Sequence, residues 1–274
     1  MKQSVFKSEA ARDTFRAYYR QVLSRFPFER KYVTTSFGQT FILSAGRDAK
    51  PPVILLHGSC SNSAFWFPEI MALSNDYRVN AVDIIGEAGN SEEYRPDINS
   101  GAFAIWMKEV LDALGLERPI MIGNSLGGWM ALKFAVAYPE RVAKLCLLAS
   151  AGLAEIRPQF IRNVEQAKHA DGTAFVGSTV IGEQEIPQEV LHFMNLIVES
   201  YTPIQHLPVF PDEQLVRLHM PVLFVGGEDD VIIDAQESAQ RLSRLVPSAE
   251  IRILANRGHV LTNSIEYILP FVSA

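Results

Sequence analysis

The sequence predicts an α/β fold in which a mainly parallel central sheet is covered by helices on both faces and interrupted by an inserted helical cap. Short, wholly apolar runs alternate with longer amphipathic segments, a pattern typical of buried parallel strands that alternate with helices. This alternation stops between about residues 152 and 218 and then resumes. Since the interval is too long for an ordinary loop, it is interpreted as an insertion.

The predicted organisation is therefore one domain with an insertion. Residues 1–151 and 219–274 form the predicted core, and residues 152–218 form the predicted cap. Within the cap, helical stretches at 159–168 and 188–198 take the place of strands. Four prolines punctuate its later part: Pro187, Pro203, Pro208 and Pro211.

The core begins with an amphipathic helix over about residues 8–26, for which Ser8 is a plausible N-cap. A hairpin is predicted around Phe37-Gly38-Gln39, with strands at 32–36 and 40–45. Further strands are predicted at 53–56, 78–85, 119–122, 142–149, 222–226 and 250–254. Further helices are predicted up to residue 73, at 99–114, 126–137 and 235–246, and from residue 263.

Composition narrows the classes of function. The chain has 274 residues, 48% of them hydrophobic, and a formal charge of −6 with no basic stripe, which argues against nucleic acid or an anionic membrane surface as partner. Neither a secretory signal nor a run long enough to span a membrane is evident. Two cysteines, Cys60 and Cys146, indicate a reducing, cytoplasmic setting, with a single disulfide as the alternative.

A candidate nucleophile lies in Gly123-Asn124-Ser125-Leu126-Gly127, between an apolar run and a helical segment. The pattern Gly-x-Ser-x-Gly in a strand–turn–helix context is typical of a nucleophile elbow. Side chains two residues before or after the serine would collide across such a turn, and glycine removes them. The amide of Leu126, at the start of the following helix, is a candidate donor to an oxyanion.

A serine hydroxyl needs a base, and the base needs an acid that orients it. Among six histidines, His259 follows the last predicted strand, where ligands bind in α/β folds. The strand at 222–226 leads into Glu228-Asp229-Asp230, and Asp230 is the preferred acid, with Asp229 or Glu228 as alternatives. Asp234 is assigned to capping of the next helix.

Together these motifs resemble the α/β-hydrolase superfamily, of the capped serine-hydrolase type, from about residue 32 to the C-terminus. The matching features are His57-Gly58 after a strand, Gly-x-Ser-x-Gly-Gly from Gly123, an acid three residues after Gly227, and Gly258-His259. The resemblance implies the α/β-hydrolase fold and an order of Ser125, Asp230 and His259 as catalytic residues.

The resemblance also implies that His57 supports the oxyanion-hole loop, that the second oxyanion donor is the amide of Ser59, and that no metal or organic cofactor takes part. A catalytic role for the Cys60 thiol lacks a histidine partner in register. One departure lies in Asp83–Ser91, where an extra residue separates two glycines. Because that change alters a loop near the site, the substrates of better-known family members are a weaker guide to the substrate of this protein.

The sequence thus predicts a hydrolase that cleaves a carboxylic ester or related small acyl substrate through an acyl-serine. A C–C bond hydrolase with the same triad and a non-catalytic small-molecule receptor are the alternatives, and the fold alone does not separate them. Apolar residues of the cap either roof an acyl pocket or pack the cap onto the body: Phe160, Ile161, Phe175, Val190, Phe193, Met194 and Ile197.

Overall fold

The computed structural model describes residues 4–162, 180 and 185–274, and it contains an eight-stranded sheet. The strands are β1 (Glu29–Thr35), β2 (Gly38–Ala45), β3 (Pro52–Leu56), β4 (Arg78–Val82), β5 (Ile120–Asn124), β6 (Lys144–Leu148), β7 (Val222–Gly227) and β8 (Glu250–Leu254). The helices are α1 (Glu9–Ser24), α2 (Phe67–Leu73), α3 (Ala102–Ala113), α4 (Leu126–Ala137), α5 (Gln188–Ser200), α6 (Asp212–Leu215), α7 (Ala235–Leu245) and α8 (Ile265–Ser273).

The sheet has the order β1-β2-β4-β3-β5-β6-β7-β8. The β1–β2 and β2–β4 pairs are antiparallel, and every pair from β4 through β3 to β8 is parallel. This arrangement confirms the predicted fold class. Because six neighbouring strands run the same way, their carboxyl ends meet at one edge, where the loops that follow them converge.

Apolar side chains cover both faces of the sheet. Ile54 and Leu56 of β3 point into one cluster with α3 and α4, whereas Val53 and Leu55 point into a second cluster on the opposite face. This alternation explains why β3 is an uninterrupted apolar run in the sequence. The second cluster also contains the buried residues of α1, so the predicted amphipathic helix packs onto the body.

Most predicted elements are present, but several boundaries differ by two or three residues, and hydrogen bonds explain two of these differences. The strand predicted at 78–85 ends at Val82, because the amides of Asp83 and Ile84 bond to the Phe41 carbonyl and the His57 ring and not to a parallel neighbour. The helix predicted from residue 99 begins at Ala102. Residues 97–100 form a turn in which Asp97 accepts the Asn99 amide.

Between β6 and β7 the described residues add α5 and α6 and contribute no strand to the sheet. The helix predicted at 188–198 is confirmed as α5. Most of the helix predicted at 159–168, together with His169 and Phe175, lies outside the described residues. The assignment of 152–218 to a separate cap therefore stays a prediction.

Across the described parts of the chain, every helix is too short or too polar to traverse a lipid bilayer.

Candidate active site

Ser125 lies at a sharp turn between β5 and α4. Its φ is +50° and its ψ −110°, a conformation that residues other than glycine rarely adopt. The turn is held by the Ser125 amide, which donates to the Leu148 carbonyl at 2.9 Å. A Cβ at Gly123 would lie 2.2 Å from the Gly127 carbonyl oxygen, and one at Gly127 would lie 1.9 Å from the Leu56 carbonyl oxygen. Both glycines are therefore required sterically.

A chain of hydrogen bonds joins Ser125 to two residues from the following loops. Nε2 of His259 lies 2.9 Å from Oγ of Ser125, and Nδ1 of His259 lies 2.8 Å from Oδ2 of Asp230. The second carboxylate oxygen of Asp230 accepts the amides of Ile232 and Ile233 at 2.8 and 3.0 Å. Asp230 is therefore held on both oxygens, and it fixes the side of the imidazole that carries a proton.

The surroundings of Asp230 favour its charged form. Burial on its own would raise the pKa of the Asp230 carboxyl, but His259 and the two amides outweigh it and hold the pKa below its usual value. The alternatives Glu228 and Asp229 are exposed, whereas Asp230 is buried. Asp234 accepts the Glu237 amide at 3.0 Å and caps α7, as predicted.

His57 takes no part in this chain of hydrogen bonds. Its Nε2 accepts the amide of Ile84 at 3.0 Å, so Nδ1 carries the proton and donates to the Gly58 carbonyl at 2.8 Å. Burial lowers the pKa of His57, which favours the neutral ring that these two bonds require. His57 is thus a structural residue of the loop that follows β3.

The two amides predicted as oxyanion donors belong to Ser59, in this loop, and Leu126, the first residue of α4. Among the residues that the structure describes, neither amide has a hydrogen-bond acceptor. Because the peptide carbonyl of Gly58 is held by His57, the plane that carries the Ser59 N–H is held as well. Within the described part of the chain both N–H groups are thus without an acceptor, as donors to an added oxyanion would need to be.

Two residues of this region have no counterpart in the motifs of the sequence. Tyr201, which follows α5, contacts Ser59 and Cys60, and its hydroxyl bonds to the buried carboxyl of Glu87. Glu87 lies within the departure from the family pattern at Asp83–Ser91, but no feature of the sequence links that loop to Tyr201. Burial raises the pKa of the Cys60 thiol to about 11, which disfavours a thiolate nucleophile.

The apolar residues predicted for the cap differ in how deeply they are buried. Phe193 of α5 is buried against the rings of Phe15, Tyr19 and Phe65, with centroids 6.1, 5.8 and 5.3 Å away. Ile197 is buried in the same cluster, whereas Ile161 is 45% exposed. For Phe193 and Ile197, packing onto the body is thus the role that the structure shows.

Comparison with known proteins gives a consistent result. A family model for the alpha/beta hydrolase fold matches residues 51–175. Carboxylesterase YbfK of Bacillus subtilis (strain 168) is 33% identical over 256 residues, which are 89% of this chain and 86% of that protein. A 2-hydroxy-6-oxononadienedioate/2-hydroxy-6-oxononatrienedioate hydrolase of Paraburkholderia phymatum is 31% identical over 84% of this chain and 88% of that protein.

Among solved structures, naproxen esterase (carboxylesterase NP) from Bacillus subtilis superimposes with a TM-score of 0.78 at 31% sequence identity. The match covers 94% of this chain and 95% of that chain. The similarity therefore extends over nearly the whole length of both chains.

Proposed function

Because the chain belongs to the α/β-hydrolase superfamily, we propose that it is a serine carboxylesterase that cleaves small esters through an acyl intermediate on Ser125. The observation that carries this proposal is the continuous chain of hydrogen bonds from Ser125 through His259 to Asp230, at 2.9 and 2.8 Å. Similarity to two bacterial carboxylesterases supports the same conclusion.

In the proposed reaction His259 removes the Ser125 proton as the hydroxyl attacks the ester carbonyl, and it then protonates the alcohol that leaves. A water molecule activated by the same imidazole hydrolyses the acyl-serine and restores both residues. Asp230 keeps the proton on Nδ1 of His259, so that Nε2 faces Ser125, and stabilises the imidazolium that forms.

Negative charge on the substrate oxygen would be stabilised by the amides of Leu126 and Ser59. Leu126 is the first residue of a twelve-residue helix, and the partial positive charge at a helix N-terminus adds to its hydrogen bond. His57 contributes indirectly, because its bond to the Gly58 carbonyl holds the Ser59 amide in place. Donors of this kind are each worth about 3–4 kcal/mol of transition-state stabilisation.

The proposal extends to residues 152–218 as a helical cap and to a small-molecule substrate with an apolar acyl part, in a cytoplasmic protein. Similarity over most of this chain to the Paraburkholderia phymatum hydrolase keeps C–C bond hydrolysis as the second candidate. Both candidates require Ser125 and His259, so the substrate assay must distinguish them.

The test is turnover of nitrophenyl esters of increasing acyl length, in parallel with a vinylogous 1,5-diketone as the C–C substrate. The wild-type protein should hydrolyse the esters, and Ser125→Ala and His259→Ala should both lose this activity. Turnover of the diketone alone would favour the C–C hydrolase, and turnover of neither substrate, with no covalent labelling of Ser125, would favour a receptor.

A further inference from the structure

Tyr201 connects four parts of the chain at the edge of the candidate site. Its side chain is fully buried, and its hydroxyl accepts the Cys60 amide at 2.9 Å and lies 3.1 Å from Oγ of Ser59. The same hydroxyl donates to Oε2 of Glu87 at 2.8 Å. A phenol has one proton, so its donation to Glu87 leaves the oxygen free to accept from the loop.

Glu87 is itself held in place. Oε1 of Glu87 accepts Nη2 of Arg95 at 3.1 Å, and the same guanidinium bonds to the carbonyls of Gly86 and Thr202. Arg95 therefore ties the loop that contains Glu87 to the residue that follows Tyr201. Each charged group in this network has an oppositely charged or polar partner, as burial requires.

The backbone of Tyr201 is fixed from the other side by the N-terminal segment. The Lys7 amide donates to the Ser200 carbonyl and the Thr202 amide donates to the Val5 carbonyl, both at 2.9 Å. These bonds make an isolated antiparallel bridge between Phe6 and Tyr201. The N-terminal segment and Arg95 thus both fix the position from which the Tyr201 hydroxyl reaches the Ser59–Cys60 loop.

The loop that receives this hydroxyl is strained. Cys60 has a φ of +56°, the left-handed region that a residue with a Cβ rarely occupies without support. The peptide before Ser59 is held through its carbonyl by His57, and the peptide after Ser59 is held through the Cys60 amide by Tyr201. Ser59 therefore lies between two anchored peptides, and Tyr201 supplies the second anchor.

We propose that Tyr201, supported by Glu87, is a positioning residue that holds the Ser59–Cys60 peptide so that the Ser59 amide faces the oxyanion. The inference rests on the proposed function, since an oxyanion forms only if Ser125 attacks an acyl group. Tyr201 acts through the loop and does not itself contact the reacting atoms. Loss of its hydroxyl should impair transition-state stabilisation more than substrate binding.

The experiment compares Tyr201→Phe with Tyr77→Phe. Tyr77 is also buried, and its hydroxyl faces Ser273, in the last helix, at 3.4 Å, so this control removes a phenolic oxygen without touching the loop. We expect Tyr201→Phe to lower kcat by roughly 10- to 100-fold with little change in KM, a smaller loss than removal of a whole oxyanion donor. Tyr77→Phe should retain the kcat of the wild type.

A second readout separates positioning from a general loss of structure. A trifluoromethyl ketone binds covalently to a nucleophilic serine as a tetrahedral oxyanion, so its affinity should fall by the same factor as kcat/KM in Tyr201→Phe. The affinity of the corresponding alcohol, which forms no oxyanion, should not change. If Tyr201→Phe does not fold, Glu87→Gln is tested in its place. We then expect a smaller loss of kcat/KM and of ketone affinity, again with no change in alcohol affinity.

The outcomes distinguish this inference from the proposed function. If the wild type and Tyr77→Phe hydrolyse esters and Tyr201→Phe has the same kcat and ketone affinity, the positioning role is contradicted while the esterase stands. A parallel loss of ketone and alcohol affinity would also contradict it, because that pattern indicates a damaged pocket. A wild-type protein with no turnover would overturn both.

Discussion

Asp229 and Asp230 are adjacent carboxylates in opposite surroundings, and they provide a sharp test at the scale of single residues. Asp230 is buried and bonded to His259, whereas Asp229 is exposed. Asp230→Asn keeps the size of the side chain but offers His259 the wrong hydrogen-bond partner, so kcat should fall by roughly 10³–10⁴-fold with folding retained. Esterase kinetics and circular dichroism check this.

Asp229→Asn is the matched control, and it should remain within about twofold of the wild type because surface substitutions have small effects. An equal loss of kcat in both variants, or a loss confined to Asp229→Asn, would show that the acid was assigned to the wrong residue.

The glycines around Ser125 make a second prediction at this scale. In Gly127→Ala the new methyl group would meet the Leu56 carbonyl at 1.9 Å, so β3 or α4 must move, and the free energy of unfolding should fall by about 1–3 kcal/mol or more. Gly101→Ala is the control, since a Cβ there meets nothing within 4 Å. Urea unfolding measures both, and equal stabilities would contradict the steric argument.

The turn at Ser125 could be predicted from the sequence because the glycines that permit it, Gly123 and Gly127, are near neighbours in the chain. Asp230 was preferred among three carboxylates by its spacing from Gly227 in the motif that the chain resembles. Its hydrogen bond to His259 agrees with that preference, and its catalytic role stays a proposal. The contact of Tyr201 with Cys60 spans 141 positions and follows no motif, because it depends on how α5 and the N-terminal segment dock. A single sequence contains no signal for such packing.

At the scale of elements, α1 and α5 are joined by an aromatic cluster around Phe193. Rings from Phe15, Tyr18 and Tyr19 of α1 lie within 5.2–6.1 Å of Phe193. Phe193→Ala should lower the free energy of unfolding by about 3–5 kcal/mol, because it leaves a cavity in a packed cluster. Met71→Ala, at a side chain that is 55% exposed, is the control and should change stability little.

The same variants decide between the two roles predicted for the apolar residues of this segment. If Phe193 instead lined an acyl pocket, Phe193→Ala would keep its stability and change the preferred acyl length of the ester. A melting temperature equal to that of Met71→Ala would contradict the packing role.

The ends of elements were predicted less well than their types, and at two of these ends the cause is a hydrogen bond made by a side chain. β4 ends three residues early because His57 replaces a neighbouring strand as the acceptor for Ile84. α3 begins late because Asp97 and Ser100 form a turn through their side chains. Side-chain hydrogen bonds of this kind compete with helix and strand hydrogen bonds. Because they do not change the periodicity of apolar residues, the sequence pattern does not show where they end an element.

At the scale of the whole molecule, Glu87 couples stability to pH. Burial raises its pKa from 4.5 to about 7, although Arg95 and Tyr201 oppose the shift, and Cys60 is the other titratable group that faces it. The folded protein then binds more protons than the unfolded chain between about pH 4.5 and 7. The stability contributed by this group is present below pH 4.5 and is lost as the pH rises through about 7.

Glu87→Gln should remove this component. Urea unfolding at pH 5 and pH 8 should show a smaller decrease in stability with rising pH in Glu87→Gln than in the wild type. Glu213→Gln, at an exposed site, should keep the wild-type dependence. Identical pH dependence in all three proteins would contradict a raised pKa at Glu87.

The central claim is that Ser125 is the nucleophile of an ester hydrolase, and covalent labelling tests it most directly. The protein is treated with a fluorophosphonate, its intact mass is measured, and the modified peptide is sequenced. We predict one adduct per chain on Ser125, and none in Ser125→Ala or in heat-denatured protein. An unlabelled Ser125 in a protein that hydrolyses esters, or an adduct on another residue, would contradict the claim.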